Sequence, residues 1–563
     1  MFGRLPLFNM PYPNLNRYKT NKYIDFRDYN PSLDGDSSDT DKLIQAFSDA
    51  NSTNLPLSLP AGTININKAI TNICSFYGIP GKTILQINSV VDTAGAGSTG
   101  HVLQTAWVRN YNESTAKSLF IKDIIVTDEP GQNISVFGFT NIKNLLIDNV
   151  GITATTVLNG SSIPWRVDAL IDLYAAVKNT RITNCDLKNI TYAHGNSGIL
   201  EAGGGAEIWV RNLNGSSASG ADLTNATENI QIDHCRFTHS TSDEGLAVFG
   251  VIGMVRKVKI HDNFFHSPIY NETYLTYHNT LVSAFPLAHA TLGVNASVED
   301  VDFYNNYIDD KNWLYNIVRF GNSTDTAATN ISRRLRSYNN NVVAYRSPDA
   351  TYGPQAAWIA AGSIGIDPSI SNGVFRAIAP NGTWGAFKNA GITSSGDVVT
   401  SNGDSIFYAF NGFDSIDNPV MHGAIWQAVS NCNSVIGGDI ECTNTAYQNC
   451  RSVTGGAAKT NDSGGYIFDV QSGYTNYNYT GVKFIATGAL MHIDTTSIDA
   501  FINMTGCNGS AGDITKYAIT NDSTTSKMRL HCNQITGSMA GIKTGDGAAN
   551  VTSSLNTYGS TTD

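Results

Sequence analysis

Six short segments of this chain share one alternating pattern, and that repetition restricts the fold more than any other feature. They are Leu145–Ile152, Thr180–Leu187, Ile230–Phe237, Val258–Phe265, Val301–Ile308 and, with Ser337 at an apolar slot, Leu335–Val342. In each, alternate residues are mainly apolar, a polar residue marks a bend, and alternation resumes. A period of two identifies strands, because successive side chains leave a strand on opposite faces. Recurrence at the same bend identifies the coils of a solenoid, each burying its apolar edge against its neighbours.

Stacking the segments gives columns. One holds Ile147, Ile182, Ile232, Ile260 and Phe303; another holds Ile152, Leu187, Phe237, Phe265 and Ile308. A third runs Val150, Cys185, Cys235, Asn263, Asn306 and Asn340. It predicts a stacked pair of buried thiols at Cys185 and Cys235, rather than a disulfide, and then an asparagine ladder bonded from coil to coil. The bend is held by Asn149, Asn184, His234 and Asn305, which gives His234 a structural place. Separations along the third column are 35, 50, 28, 43 and 34 residues, so the coils carry insertion loops of unequal length. Loops of that kind commonly carry function.

Composition agrees with turns and strands. Of 563 residues only 15% are charged, and 52 are glycine. Asn, Ser, Thr and Gly favour turns over helix interiors. A net charge of -11 leaves no basic stripe for nucleic acid. The eight cysteines, at 74, 185, 235, 432, 442, 450, 507 and 532, form no CxxC pair, and they are read as mostly reduced and buried. The histidines show no zinc spacing, so neither metal nor cofactor is expected. Met1 to Asn14 lacks a basic stretch followed by an apolar run, so no secretory signal is expected, and no segment is long and apolar enough to span a membrane.

The chain begins with an irregular leader, residues 1–22. Tyr23 to Tyr29 reads as a strand, and Asp34-Gly35-Asp36 as a turn leading to a helix from Thr40 to Ala50 with Leu43, Ile44 and Phe47 as its apolar stripe. Leu55 to Thr63 follows as a strand and a sharp turn. This order, closing on Leu59-Pro60-Ala61-Gly62-Thr63, resembles the opening of pectate-lyase-like β-helix proteins, a superfamily that includes many phage tailspikes and polysaccharide depolymerases. The resemblance covers about forty residues. It implies an all-β, right-handed, single-stranded parallel β-helix with a short N-terminal helix capping the solenoid against edge pairing. Residues 23–100 would form the entrance, 101–352 the central helix with the site, and 353–563 a β-rich C-terminal region. From about Gly353 the repeats fade, and more coils, a β-sandwich or an interdigitated trimer stem all remain open. The resemblance further implies a homotrimer joined through its N-terminus to a phage tail or baseplate, and so a virion protein acting on the host surface.

A second strand follows each bend, aligned as Val167–Leu173, Asn196–Ala202, Asp243–Phe249, Asn279–Phe285 and Leu314–Phe320. Alternation then places Asp168, Ser197, Glu244, Thr280 and Tyr315 on one outward rail, and Asp172, Glu201, Val248, Ala284 and Arg319 on another. Adjacent coils lie about 4.8 Å apart, so Asp172 and Glu201 would be neighbours near the roughly 5–5.5 Å of a retaining glycosidase pair. Asp168 and Glu244, two coils apart, would lie about 9.6 Å apart along the backbone, close to the inverting range. Like charges so placed raise at least one pKa, which creates the protonated acid that glycoside cleavage needs.

Ser242-Asp243-Glu244-Gly245 is similar to an acidic stretch of polygalacturonase-like β-helix hydrolases, and the similarity carries over Asp243 and Glu244 alone. Arg319 suits an acidic sugar, and Trp165, Trp209, Trp313 and Tyr315 suit stacking on sugar faces. The residues therefore point to an endoglycosidase acting on O-antigen, capsule or exopolysaccharide. A polysaccharide lyase on the same scaffold and a non-catalytic receptor-binding spike are the alternatives. Each outward carboxylate also fits a merely solvated face.

Overall fold

The computed structural model describes residues 22–88, 101–105, 116–128, 135–157, 169–192, 206–212, 226–240, 249–253, 255–267, 279–285, 297–310, 314–320, 331–344, 358–360, 363–366, 375–378, 393–395, 397–401, 406–411, 413, 415–423, 425–471, 474–494, 500–512, 517–537, 539–554 and 556–558. Contacts divide the chain into two units, Met1–His266 with His289–Val294, and Ser267–Ala288 with Asn295–Asp563.

The first unit is a stack of parallel coils. Its inner column runs in register from Ile24 through Leu57, Phe76, Ile121, Ile147, Ile182 and Ile232 to Ile260. A second column runs Ile64, Leu85, Val126, Ile152, Leu187, Phe237 and Phe265. The columns read from the sequence are therefore the core, and nearly all of these side chains are buried.

The bend between them has a backbone cause. Asp123, Asn149, Asn184, His234 and Asp262 all adopt left-handed φ values, from 53° to 59°. Asn and Asp tolerate that conformation better than other residues with a Cβ, because their short polar side chains bond locally. His234 does occupy the asparagine slot. The residue after each bend turns inward, and Cys185 and Cys235 are free buried thiols there. Each thiol donates to a backbone carbonyl two residues back, at 3.2 Å.

The helix spans Thr40–Thr53 and buries Leu43, Ala46, Phe47 and Ala50, with Phe47 edge-on to Phe76 at 5.4 Å. Ile44, expected in the apolar stripe, is 37% exposed. The buried face follows i, i+3, i+4 and i+7, so Ala46 and Ala50 replace it. Asp39 sits at the cap position without capping. Its buried carboxylate accepts from the backbone N–H groups of Ser32 at 2.9 Å and Leu33 at 3.3 Å, tying down the preceding loop.

The second unit repeats the architecture. Phe303 stacks on Ser337 and Ile308 on Val342. The asparagine ladder is present: Asn306 donates to Asn340 Oδ1 at 2.9 Å, and Asn340 donates to Asp397 Oδ1 at 2.9 Å. Further on, Ile416, Val435, Val453, Tyr479, Met504 and Leu530 form one continuous column. The parallel coils thus continue to Thr557–Tyr558, and the first of the three C-terminal alternatives is the one observed. An antiparallel hairpin, Ser363–Ile366 with Phe375–Ile378, interrupts them.

Candidate functional site

The second-strand alignment is where the structure departs from the sequence reading. Strand Ala169–Thr183 pairs with Ala206–Asn212, so Trp209 takes the place beside Asp172 that the sequence alignment assigns to Glu201. Ala206–Asn212 in turn pairs with Phe249–Gly253, placing Ile208 beside Phe249. The misalignment arose because 200–202 and 208–210 both alternate, and only the second segment ends on the residues that continue the column, Ile171–Ile208–Phe249. In the second unit the register is off by one: Ser283, not Ala284, faces Arg319, after an irregularity between Asn279 and Thr280 that shifts the rail at Tyr315. The side chains of Arg319 and Tyr315 are not described. Glu201, Glu244, Asp243, Asp168, Trp165 and Trp313 lie outside the described residues.

The true rail in the first unit is Gln104, Gly138, Asp172, Trp209 and Gly250, each in register with the next. Two residues singled out from the sequence, Asp172 and Trp209, are thereby brought together on successive coils. Asp172 is fully buried rather than a solvated carboxylate, and Trp209 is a strand residue only 5% exposed. The reason is Arg211. Its guanidinium grips Asp172 with two prongs, Nε to Oδ1 at 3.1 Å and Nη2 to Oδ2 at 2.5 Å. The same guanidinium lies 5.0 Å from the Tyr174 ring centroid and 5.3 Å from that of Trp209. Ion pair and rings together satisfy a charge that could not be buried alone. On the two preceding coils, Gln104 Oε1 and Thr140 Oγ1 are buried with no hydrogen-bond partner among the described residues.

A second polar cluster, missed in the sequence, centres on Asp233. It accepts from Arg181 Nε at 2.8 Å and Nη2 at 2.9 Å, from Thr183 Oγ1 at 2.5 Å and from Gln231 Nε2 at 2.5 Å, with His234 Nδ1 at 2.9 Å. Burial works against its charge, but the bonds from Arg181, Thr183 and His234 prevail and bring its pKa down to about 2. The available signal was the column Thr183–Asp233–His261 beside Arg181, which places a carboxylate between donors on both neighbouring coils. With its oxygens so occupied, Asp233 is a structural hub. Among the described residues no cluster of His, Cys, Asp and Glu is arranged to hold a metal ion. No described helix is long and apolar enough to cross a membrane.

The sequence matches no protein-family model. It matches no curated protein either. Solved structures do resemble it. A double mutant of the tailspike protein of E. coli bacteriophage HK620 aligns with a TM-score of 0.49 and 11% identity, over 95% of this chain and 81% of the tailspike. The same tailspike in complex with a pentasaccharide gives 0.47 at 11% identity, over 94% and 80%. PfbA, a surface adhesin of Streptococcus pneumoniae, gives 0.35 at 9% identity, over 92% and 91%.

Proposed function

We propose that this chain binds a bacterial surface polysaccharide along the outer rail of its first unit and hydrolyses its glycosidic bonds, as a homotrimeric tailspike of a phage virion. The observation that supports it is the regular parallel stacking of coils in that unit, held in register there by the Asp172–Arg211 pair. A solenoid offers the same side-chain position once per coil, which suits a repeating polymer.

In this reading the paired carboxylates come from Glu201, Glu244, Asp243 and Asp168. Asp172, fully buried with both oxygens held by the Arg211 fork, fixes the strand beside them. A polysaccharide lyase on the same scaffold is the second reading, and its products differ from those of a hydrolase.

The test is incubation with surface polysaccharides of candidate hosts, following chain length, reducing ends and ultraviolet absorbance together. Shortening with new reducing ends and flat absorbance supports the hydrolase, and an equal rise in absorbance establishes a lyase. Retention of polysaccharide without shortening would leave a binding spike. Glu201→Gln and Glu244→Gln should abolish turnover with folding and binding intact. Full activity in both would remove them from the site.

A further inference from the structure

The second unit holds a charged relay that the proposed sugar chemistry does not use. Gln448, Asp469 and His492 are register partners on three successive coils, and Asp522 directly follows the strand Tyr517–Asn521 of the fourth. Asp469 is only 4% exposed, and its Oδ2 accepts from Gln448 Nε2 at 3.2 Å and Gln471 Nε2 at 2.8 Å. Its Oδ1 lies 3.0 Å from His492 Nδ1, and His492 Nε2 lies 3.4 Å from Asp522 Oδ2. The Tyr466 ring stacks on the imidazole with centroids 5.0 Å apart.

We propose that Asp469, His492 and Asp522 form a proton-controlled clamp across three successive C-terminal coils, closed while the imidazole is protonated on both nitrogens and loosened when it loses a proton. The geometry requires the proton. A neutral imidazole donates through one nitrogen only, which would leave a lone pair facing a carboxylate on the other side. The titratable groups around the ring agree: Asp469 and Tyr466 come from the preceding coil and Asp522 from the following one, while Asp494 directly follows the strand of His492, Ala489–Ile493. All are acidic or neutral. The hydrogen bond that His492 donates to Asp469 is the leading influence and raises the His492 pKa above its ordinary value, against the opposing effect of burial. Since the folded value lies above the unfolded one, the stabilisation is fully present below the ordinary histidine range. It is lost as pH rises through the raised value.

Hydrogen exchange on the full-length protein tests this, read at Ala489–Ile493 and Tyr517–Asn521 between about pH 6 and about pH 9 and corrected for intrinsic exchange. Protection of both strands should fall several-fold as pH rises, while Val435 and its neighbours in Ser434–Ile436 stay level. His492→Gln should give protection that no longer responds to pH. Asp522→Asn, a near-isosteric change at a half-buried side chain, should move the transition to lower pH. The clamp is overturned if wild type and Asp522→Asn show the same profile, or if protection does not fall with rising pH. Neither result bears on the polysaccharide assay, because the clamp lies in the other unit.

Discussion

Asp233 receives both arms of the Arg181 guanidinium from the preceding coil while fully buried itself. The pairing makes the first unit acid-sensitive in a calculable way. The carboxylate pKa falls from 3.8 to about 2 on folding. At about 1.36 kcal/mol per unit, that difference contributes roughly 2.4 kcal/mol. A depressed value means the stabilisation is present above the ordinary carboxylate range and drains away as pH falls from about 4 towards 2. Urea unfolding of wild type and Asp233→Asn at about pH 5 and about pH 2 should therefore show a difference near 2 kcal/mol at the higher pH that shrinks at the lower. An equal gap at both would contradict the assignment.

The asparagine ladder predicts an order among substitutions at one position. Asn340 donates to Phe303 O and Asp397 Oδ1, both at 2.9 Å, and accepts from the Asn306 backbone N–H at 3.0 Å and its side-chain amide at 2.9 Å. Asn340→Leu strands several buried polar groups at once and should cost about 3 kcal/mol or more. Asn340→Asp should be worse, because a second carboxylate would then face Asp397. Denaturant midpoints would check the ranking, and a milder effect for Asp than for Leu would oppose it.

What the sequence made legible follows from the physics of each strand. The first strand carries large residues such as Ile147, Ile182 and Ile232 at a bend marked by Asn or His, so pattern alone found its register. In the C-terminal coils the same bend is made by Gly437, Gly455, Gly481 and Gly506, with φ from 63° to 68°. Glycine also marks ordinary turns, and Val435 to Val453 is a coil of only 18 residues, so the period changed together with its marker. The coils there were one open alternative among three for that reason. The candidate site was less legible still. Asp172 and Trp209 were each singled out, but their adjacency depends on 36 intervening residues skipping an alternating decoy around Leu200. Arg211, which organises both, falls one residue past the aligned column and left no periodic trace.

The Asp172–Arg211 pair allows the cost of breaking a buried ion pair to be separated from that of replacing it. Removing one partner of a buried pair leaves an uncompensated charge, so Arg211→Ala should destabilise the protein by about 3–5 kcal/mol. Replacing both, as Asp172→Leu with Arg211→Met, should recover most of that loss, since well-packed apolar residues often serve as well as a buried pair. Denaturant midpoints check the pair, and a double variant no more stable than Arg211→Ala would contradict it.

Adjacent glycines in one C-terminal turn separate strain from collision. Gly455 has φ 68° with open space where a Cβ would stand. Gly455→Ala therefore meets only the left-handed penalty, about 1–2 kcal/mol, and Gly455→Asn should cost less because asparagine bonds locally in that conformation. Gly456 has φ 79°, and a Cβ there would lie 2.4 Å from Gly437 O and 2.6 Å from its carbonyl carbon. Backbone cannot swing aside as a flexible side chain can, so Gly456→Ala must push two stacked coils apart and break the bond from Ala457 N–H to Gly438 O. The expected outcome is a modest fall in denaturation midpoint for Gly455→Ala and loss of the folded C-terminal coils for Gly456→Ala, read by limited proteolysis. Equal tolerance at both positions would mean that the coils are not stacked in this register.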